Sequence, residues 1–74
     1  MPQIDLQIGH KIKNTRKKLG ITQADLSRKL SISPTYLNLM ERGKRKINVD
    51  LLLKIANELN VDVSDISKKT DTNL

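Results

Sequence analysis

The feature that most constrains this chain is its punctuation. Residues that begin or end helices recur at short intervals: Asp5, Gly20, Thr22, Ser33 with Pro34, Gly43 and Asn48. Asp, Thr, Ser and Asn can accept a hydrogen bond from the free amides of a first helical turn. Pro at the first helical position costs no hydrogen bond, and Gly leaves a helix easily through a left-handed turn. The stretches between these marks are too short to be stable as isolated helices, so each has to bury a face against the others. Apolar residues recur at a period near 3.6, with no alternating strand pattern and no internal repeat.

The spacing predicts five helices. The first runs from about Leu6 to Leu19 with Asp5 as its N-cap. Ile8, Ile12, Thr15 and Leu19 share one face, and Gly20 is the stop. Thr22 caps a second helix carrying Leu26 and Leu30, and Ser31 and Ile32 form a turn. Ser33 caps a third, with Pro34 at its first position, Leu37 and Met40 facing inward, and Gly43 ending it. Asn48 caps a fourth helix reaching Leu59, with Leu52, Ile55, Ala56 and Leu59 as its inner stripe. Asp62 opens a short fifth helix that carries Ile66. The expectation is an all-α domain over residues 5–67. Residues 68–74, without periodicity, form a tail that frays.

Length and composition narrow the function. With 74 residues there is room for one small core. The absence of Cys removes disulfides and thiolate metal or redox sites. The single His10 has no partner at ligand spacing, so no metal and no cofactor is expected. No nucleophile–base pair or phosphate-cradling loop stands out, which argues against an enzyme. No apolar run reaches the length of a membrane span and no signal-peptide core is visible, so a soluble, cytoplasmic protein with no membrane partner is expected.

Charge is distributed unevenly. Residues 1–46 carry eleven Lys and Arg against Asp5, Asp25 and Glu41, a balance of +8, whereas residues 47–74 carry −2. Such asymmetry points to one polyanion-facing end and one end free for other contacts, and from charge alone the polyanion could be DNA, RNA or membrane lipid. The densest run, Lys44, Arg45 and Lys46, follows the third helix directly.

The second and third helices are joined by a turn of about three residues, which suits a helix-turn-helix. The segments "IGHKIKNTRKKLGITQADLSRKLSISPTYLNLMERGKRK" and "LLLKIANELNVDVSDI" resemble the phage-repressor/Cro-like (XRE-type) DNA-binding domains over residues 8–67. The stretch "SPTYLNLMERGKR" is also similar to the amino-terminal domain of bacterial short-chain acyl-CoA-responsive regulators. Ser31 stands where the XRE-type pattern usually has Gly, and Ile47 where it frequently has Pro. The resemblance implies the phage-repressor-like fold, double-stranded DNA as partner, Gln23 against a backbone phosphate, and a structural ion pair between Arg16 and Glu41.

The residues themselves agree with this. Thr35, Asn38, Leu39 and Arg42 share a face of the third helix opposite Leu37 and Met40. Asn38 can pair with both polar groups on an adenine edge, Thr35 offers a hydroxyl and a methyl, and Leu39 can meet a thymine methyl. With Pro34 beside them, Thr35, Asn38 and Leu39 form the candidate base-reading set. Gln23, Ser33, Tyr36, Arg42, Lys44, Arg45 and Lys46 form the candidate phosphate-contacting set. For Tyr36, packing, phosphate contact and base reading are all open. Lys44, Arg45 and Lys46 fit a backbone clamp that binds without reading sequence.

Operators read by such motifs are usually two-fold, so a homodimer is expected. Leu51, Leu53 and Val49 on the fourth helix, with Val61, Val63 and the fifth helix, are the candidate interface, and their packing into a single core is the alternative. The expected function is that of a sequence-specific transcriptional regulator, a repressor or autoregulator. Alternatives are a restriction–modification or toxin–antitoxin component, or the DNA-binding head of a longer ligand-sensing regulator. RNA or single-strand binding is disfavoured because Tyr36, the sole aromatic residue, makes no stacking platform.

Overall fold

A computed structural model describes the backbone of residues 3–67 and the side chains of residues 6–66. Five helices follow in order: α1 Gln3–Lys18, α2 Gln23–Leu30, α3 Pro34–Glu41, α4 Val49–Leu59 and α5 Val63–Ser67. The described residues contain no strand. The tail expected over residues 68–74 lies outside them.

Local chemistry sets the helix starts as the sequence indicates. The side-chain oxygens of Thr22, Ser33 and Asn48 accept from the amides of Asp25, Tyr36 and Leu51 at 3.0, 3.0 and 2.8 Å. Each satisfies one of the free amides of the first turn. The start of α1 differs. The helix already includes Gln3, so Asp5 is an interior residue and not a cap. Gln3 and Ile4 contain no helix breaker, and a helix continues through such residues when nothing stops it.

The helix ends share one device. After each of α1 to α4 a single residue turns left-handed: Gly20 at φ 71°, Ser31 at 59°, Gly43 at 74° and Asn60 at 58°. The next amide then reaches back to a carbonyl of the last turn. Ile21 bonds Arg16, Ile32 bonds Ser27, Lys44 bonds Leu39 and Val61 bonds Ala56, at 2.8–3.1 Å. This Schellman geometry satisfies carbonyls that a helix end leaves open. Gly adopts it without strain, and Asn tolerates it through its short polar side chain. Ser31 shares the second advantage only weakly, because its hydroxyl bonds the local backbone less well than an amide does.

Every helix contributes a side chain with no exposed surface: Ile12, Leu26, Leu37, Met40, Ile55 and Ile66. No helix is therefore dispensable to the core. The inward face of α1 is Gly9, Ile12 and Arg16, with Ile8 half-buried beside it. Leu19 was expected on that face but is 53% exposed. The helix stops at Lys18, and the inward position one turn after Ile12 is occupied by Arg16. Gly9 marks the close crossing of α1 over the end of α3. A Cβ there would stand 2.7 Å from the Glu41 carbonyl oxygen, so only Gly fits. α4 touches α1, α2 and α5. With three neighbours it buries a wide arc that takes in Leu51, at 8% exposure, along with Ile55, Ala56 and Leu59.

Ser31→Gly is expected to stabilise the fold by about 0.5–1 kcal/mol, because it removes a side chain from a left-handed position. A thermal melt checks this, and an unchanged or lower midpoint would show that the serine side chain offsets its backbone strain.

Candidate nucleic-acid interface

α2, the Ser31–Ser33 turn and α3 form the helix-turn-helix. The orientation of α3 is fixed from beneath by one polar network. Arg16 on α1 donates from Nε to Glu41 Oε2 at 2.7 Å and from Nη2 to Glu41 Oε1 at 3.0 Å. Its Nη1 donates to the Ile21 carbonyl at 2.8 Å. Arg16 is 6% exposed and Glu41 1%. The ion pair implied by the sequence resemblance is therefore present, bidentate and buried. Paired planar groups in this geometry are the strong form of charged hydrogen bond.

Gln23 is part of the same network. Its Nε2 donates to Glu41 Oε1 at 2.9 Å, which gives this carboxylate a third donor. The sequence offered no sign of this contact, since Gln23 and Glu41 are 18 residues apart and meet only through the packing of α2 on α3. An amide nitrogen carries two hydrogens, so the second remains available to a ligand at the start of α2. Gly9 was also missed, although a signal existed. It is a helix-interior glycine three residues before Ile12 and seven before Arg16, on the inward face, where glycine indicates close backbone approach.

On the outer side of α3, Pro34, Thr35 and Arg42 are exposed, while Asn38 and Leu39 are half-buried. Thr35, Asn38 and Leu39 lie on α3, whereas Arg42 is the residue just past its end, with φ −91° and ψ 3°, and Leu37 and Met40 lie in the core. Ser33 accepts the Tyr36 amide through its Oγ, and its hydroxyl proton remains able to donate.

Lys44, Arg45 and Lys46 are all exposed. The Lys44 amide bonds the Leu39 carbonyl at 2.8 Å, which anchors the start of the loop to α3. Among the described residues the ion pairs are Arg16–Glu41 and the exposed Arg28–Asp25, so no carboxylate neutralises this run. Arg45 differs from its neighbours: its guanidinium lies over the Tyr36 ring, 5.0 Å from the centroid. Tyr36 itself is half-buried and packs against the core.

Of the expected interface residues, Leu51 belongs to the core and is removed from that set by its burial. Leu53 is 49% exposed, and its neighbour Val49, which the fourth helix also turns outward, is 70% exposed. Val61 and Val63 are half-buried against the core. His10 is exposed. No group of three or more potential metal ligands occurs among the described residues, and no helix there is long and apolar enough to cross a membrane.

An all-α core that presents a short helix from a helix-turn-helix defines the class, and the chain belongs to the helix-turn-helix family, whose pattern matches residues 12–66. The XRE-type resemblance read from the motifs agrees with this. Among curated proteins it is similar to the HTH-type transcriptional regulator RamB of Mycobacterium tuberculosis, with 36% identity over 67 residues. That match covers 90% of this chain and 14% of RamB. It is also 35% identical over 75 residues to the HTH-type transcriptional regulator ImmR of Bacillus subtilis, covering 93% of this chain and 59% of ImmR. The chain thus spans only part of these two relatives. Among solved structures, the clp gene regulator ClgR of Corynebacterium glutamicum superposes with a TM-score of 0.85 at 28% identity, covering 88% of this chain and 69% of ClgR.

Removing either member of the buried pair leaves the other charge unsatisfied. Arg16→Ala and Glu41→Ala are each expected to lower stability by about 3–5 kcal/mol, and the double variant by clearly less than the sum. Urea denaturation of the three variants measures this. Additive losses would mean that the two side chains do not act as a pair.

Proposed function

We propose that this protein is a sequence-specific regulator of transcription that binds double-stranded DNA, with α3 as its reading helix. The observation that carries the proposal is the outer face of α3: Thr35, Asn38, Leu39 and Arg42 on a helix immobilised by the Arg16–Glu41–Gln23 network and followed by unneutralised cations. An eight-residue helix is about 12 Å long, which matches the width of the major groove. Asn38 reads adenine, and Thr35, Leu39 and Pro34 contact neighbouring base edges. Gln23, Ser33 and Arg42 hold phosphates at the two ends of the helix pair. Lys44, Arg45 and Lys46 clamp the backbone and supply salt-dependent affinity.

The protein acts as a homodimer on a two-fold operator, as a repressor or autoregulator. Leu53, Val61 and Val63, with Val49, are the contact surface, since they lie in the less basic half and retain exposed apolar area. The regulators that resemble this chain support the reading through their family.

Selection of bound duplexes from a random library is the direct test. It should return a preferred site whose half repeats in inverted orientation about 10 base pairs away. Asn38→Ala should cost about 1–3 kcal/mol on that site and relax preference at one position per half-site. An unchanged preference removes Asn38 from the reading set, and an unrepeated half-site removes the dimer.

Neutralising Lys44, Arg45 and Lys46 together should weaken binding to all duplexes about equally. It should also flatten the salt dependence by up to about three counterions. A loss confined to the preferred site, with the salt slope unchanged, would contradict the clamp.

A further inference from the structure

Lys44, Arg45 and Lys46 are adjacent in sequence, but the fold treats them differently. Arg45 comes after the C-terminal end of α3, yet its guanidinium lies 5.0 Å from the ring centroid of Tyr36, the third residue of that helix. The Arg45 side chain is thus turned onto a ring that α3 carries. Tyr36 is itself held, since it packs against the core cluster and its amide bonds the Ser33 cap. A fixed ring thus supports a long and otherwise free side chain. An arginine loses rotamer entropy when it is immobilised, and one held against a ring has already lost part of it before a ligand arrives. The Arg45 side chain makes no hydrogen bond or ion pair among the described residues, so its fork of donors remains free for the two oxygens of a phosphodiester.

From this geometry, and resting on the DNA-binding reading above, we infer that Tyr36 is a positioning residue. Its ring holds Arg45 as a pre-oriented, two-pronged phosphate contact beside α3. Lys44 and Lys46 act as untethered charges. Tyr36 contributes through its ring and not through its hydroxyl.

The experiment compares Tyr36→Phe, Tyr36→Leu, Arg45→Ala and the double variant Tyr36→Leu/Arg45→Ala. Without DNA, NMR should show the Arg45 side-chain protons shifted upfield by the ring in wild type and in Tyr36→Phe, and unshifted in Tyr36→Leu. On a duplex selected by the wild-type protein, Tyr36→Phe should bind within about a factor of two of wild type. Tyr36→Leu should lose about two- to fivefold, the size of an exposed cation–π contact. In the Arg45→Ala background the same Tyr36→Leu change should cost nothing further.

A loss in Tyr36→Phe equal to that in Tyr36→Leu overturns the inference in favour of a hydroxyl contact. A Tyr36→Leu loss that persists without Arg45 overturns it in favour of packing. Should Tyr36→Leu unfold, Arg45→Lys tests the same point, because the charge remains and the stacked plane is lost; wild-type affinity there overturns the proposal. A wild-type protein that binds no duplex would overturn the DNA-binding reading itself, while the NMR shifts would still report whether the stack exists.

Discussion

The buried pair between Arg16 and Glu41 is the constraint on which the rest of the arrangement depends. Both groups are almost fully removed from water, and the desolvation this requires roughly offsets their attraction. Net stability is therefore a poor account of the pair. Its larger effect is on alternatives: any packing of α1 against α3 that separates the partners leaves a bare charge in the core. Arg16 gives three donors and Glu41 receives three, two from Arg16 and one from Gln23, so each charge has partners beyond the pair itself. It connects the end of α1, the start of α2 and the last turn of α3. These are the pieces whose relative placement decides where the outer face of α3 points.

Two further features act with the pair. Gly9 allows the α1 backbone to approach the end of α3 at the point where the pair forms, and a larger residue would push the charges apart. Gly43, left-handed and buried against Leu6, turns the chain away from α3 immediately after Glu41. The last turn of α3 is thus fixed by a contact, a charge pair and a stop within three residues. The cationic loop leaves from this rigid point, and the Lys44 amide remains bonded to α3.

The molecule separates its tasks along the chain. The basic first half holds the helix-turn-helix and the loop, while the second half supplies much of the core and carries Val49 and Leu53 on its surface. α4 packs on three helices and so leaves little apolar surface beyond those two residues. That restricts any contact surface on this helix to its outer edge.

Helix existence was determined by the sequence because it depends on local chemistry. Thr22, Ser33 and Asn48 cap because their oxygens reach amides three residues away, and Gly20 and Gly43 stop helices through their own backbone freedom. The inward stripes of α3 and α4 were legible for the same reason, since helical period alone places Leu37, Met40, Ile55 and Leu59 together. What depends on neighbours distant in sequence was decided only by the tertiary structure. Leu19 and Leu51 changed places relative to expectation because burial depends on where a helix ends and how many partners it touches. Gln23 reached Glu41, and Arg45 reached the Tyr36 ring, only after the helices had packed and the loop had folded back. Periodicity determines which face of a helix is apolar, but not which polar side chains from different elements will meet, because that distance is set by packing.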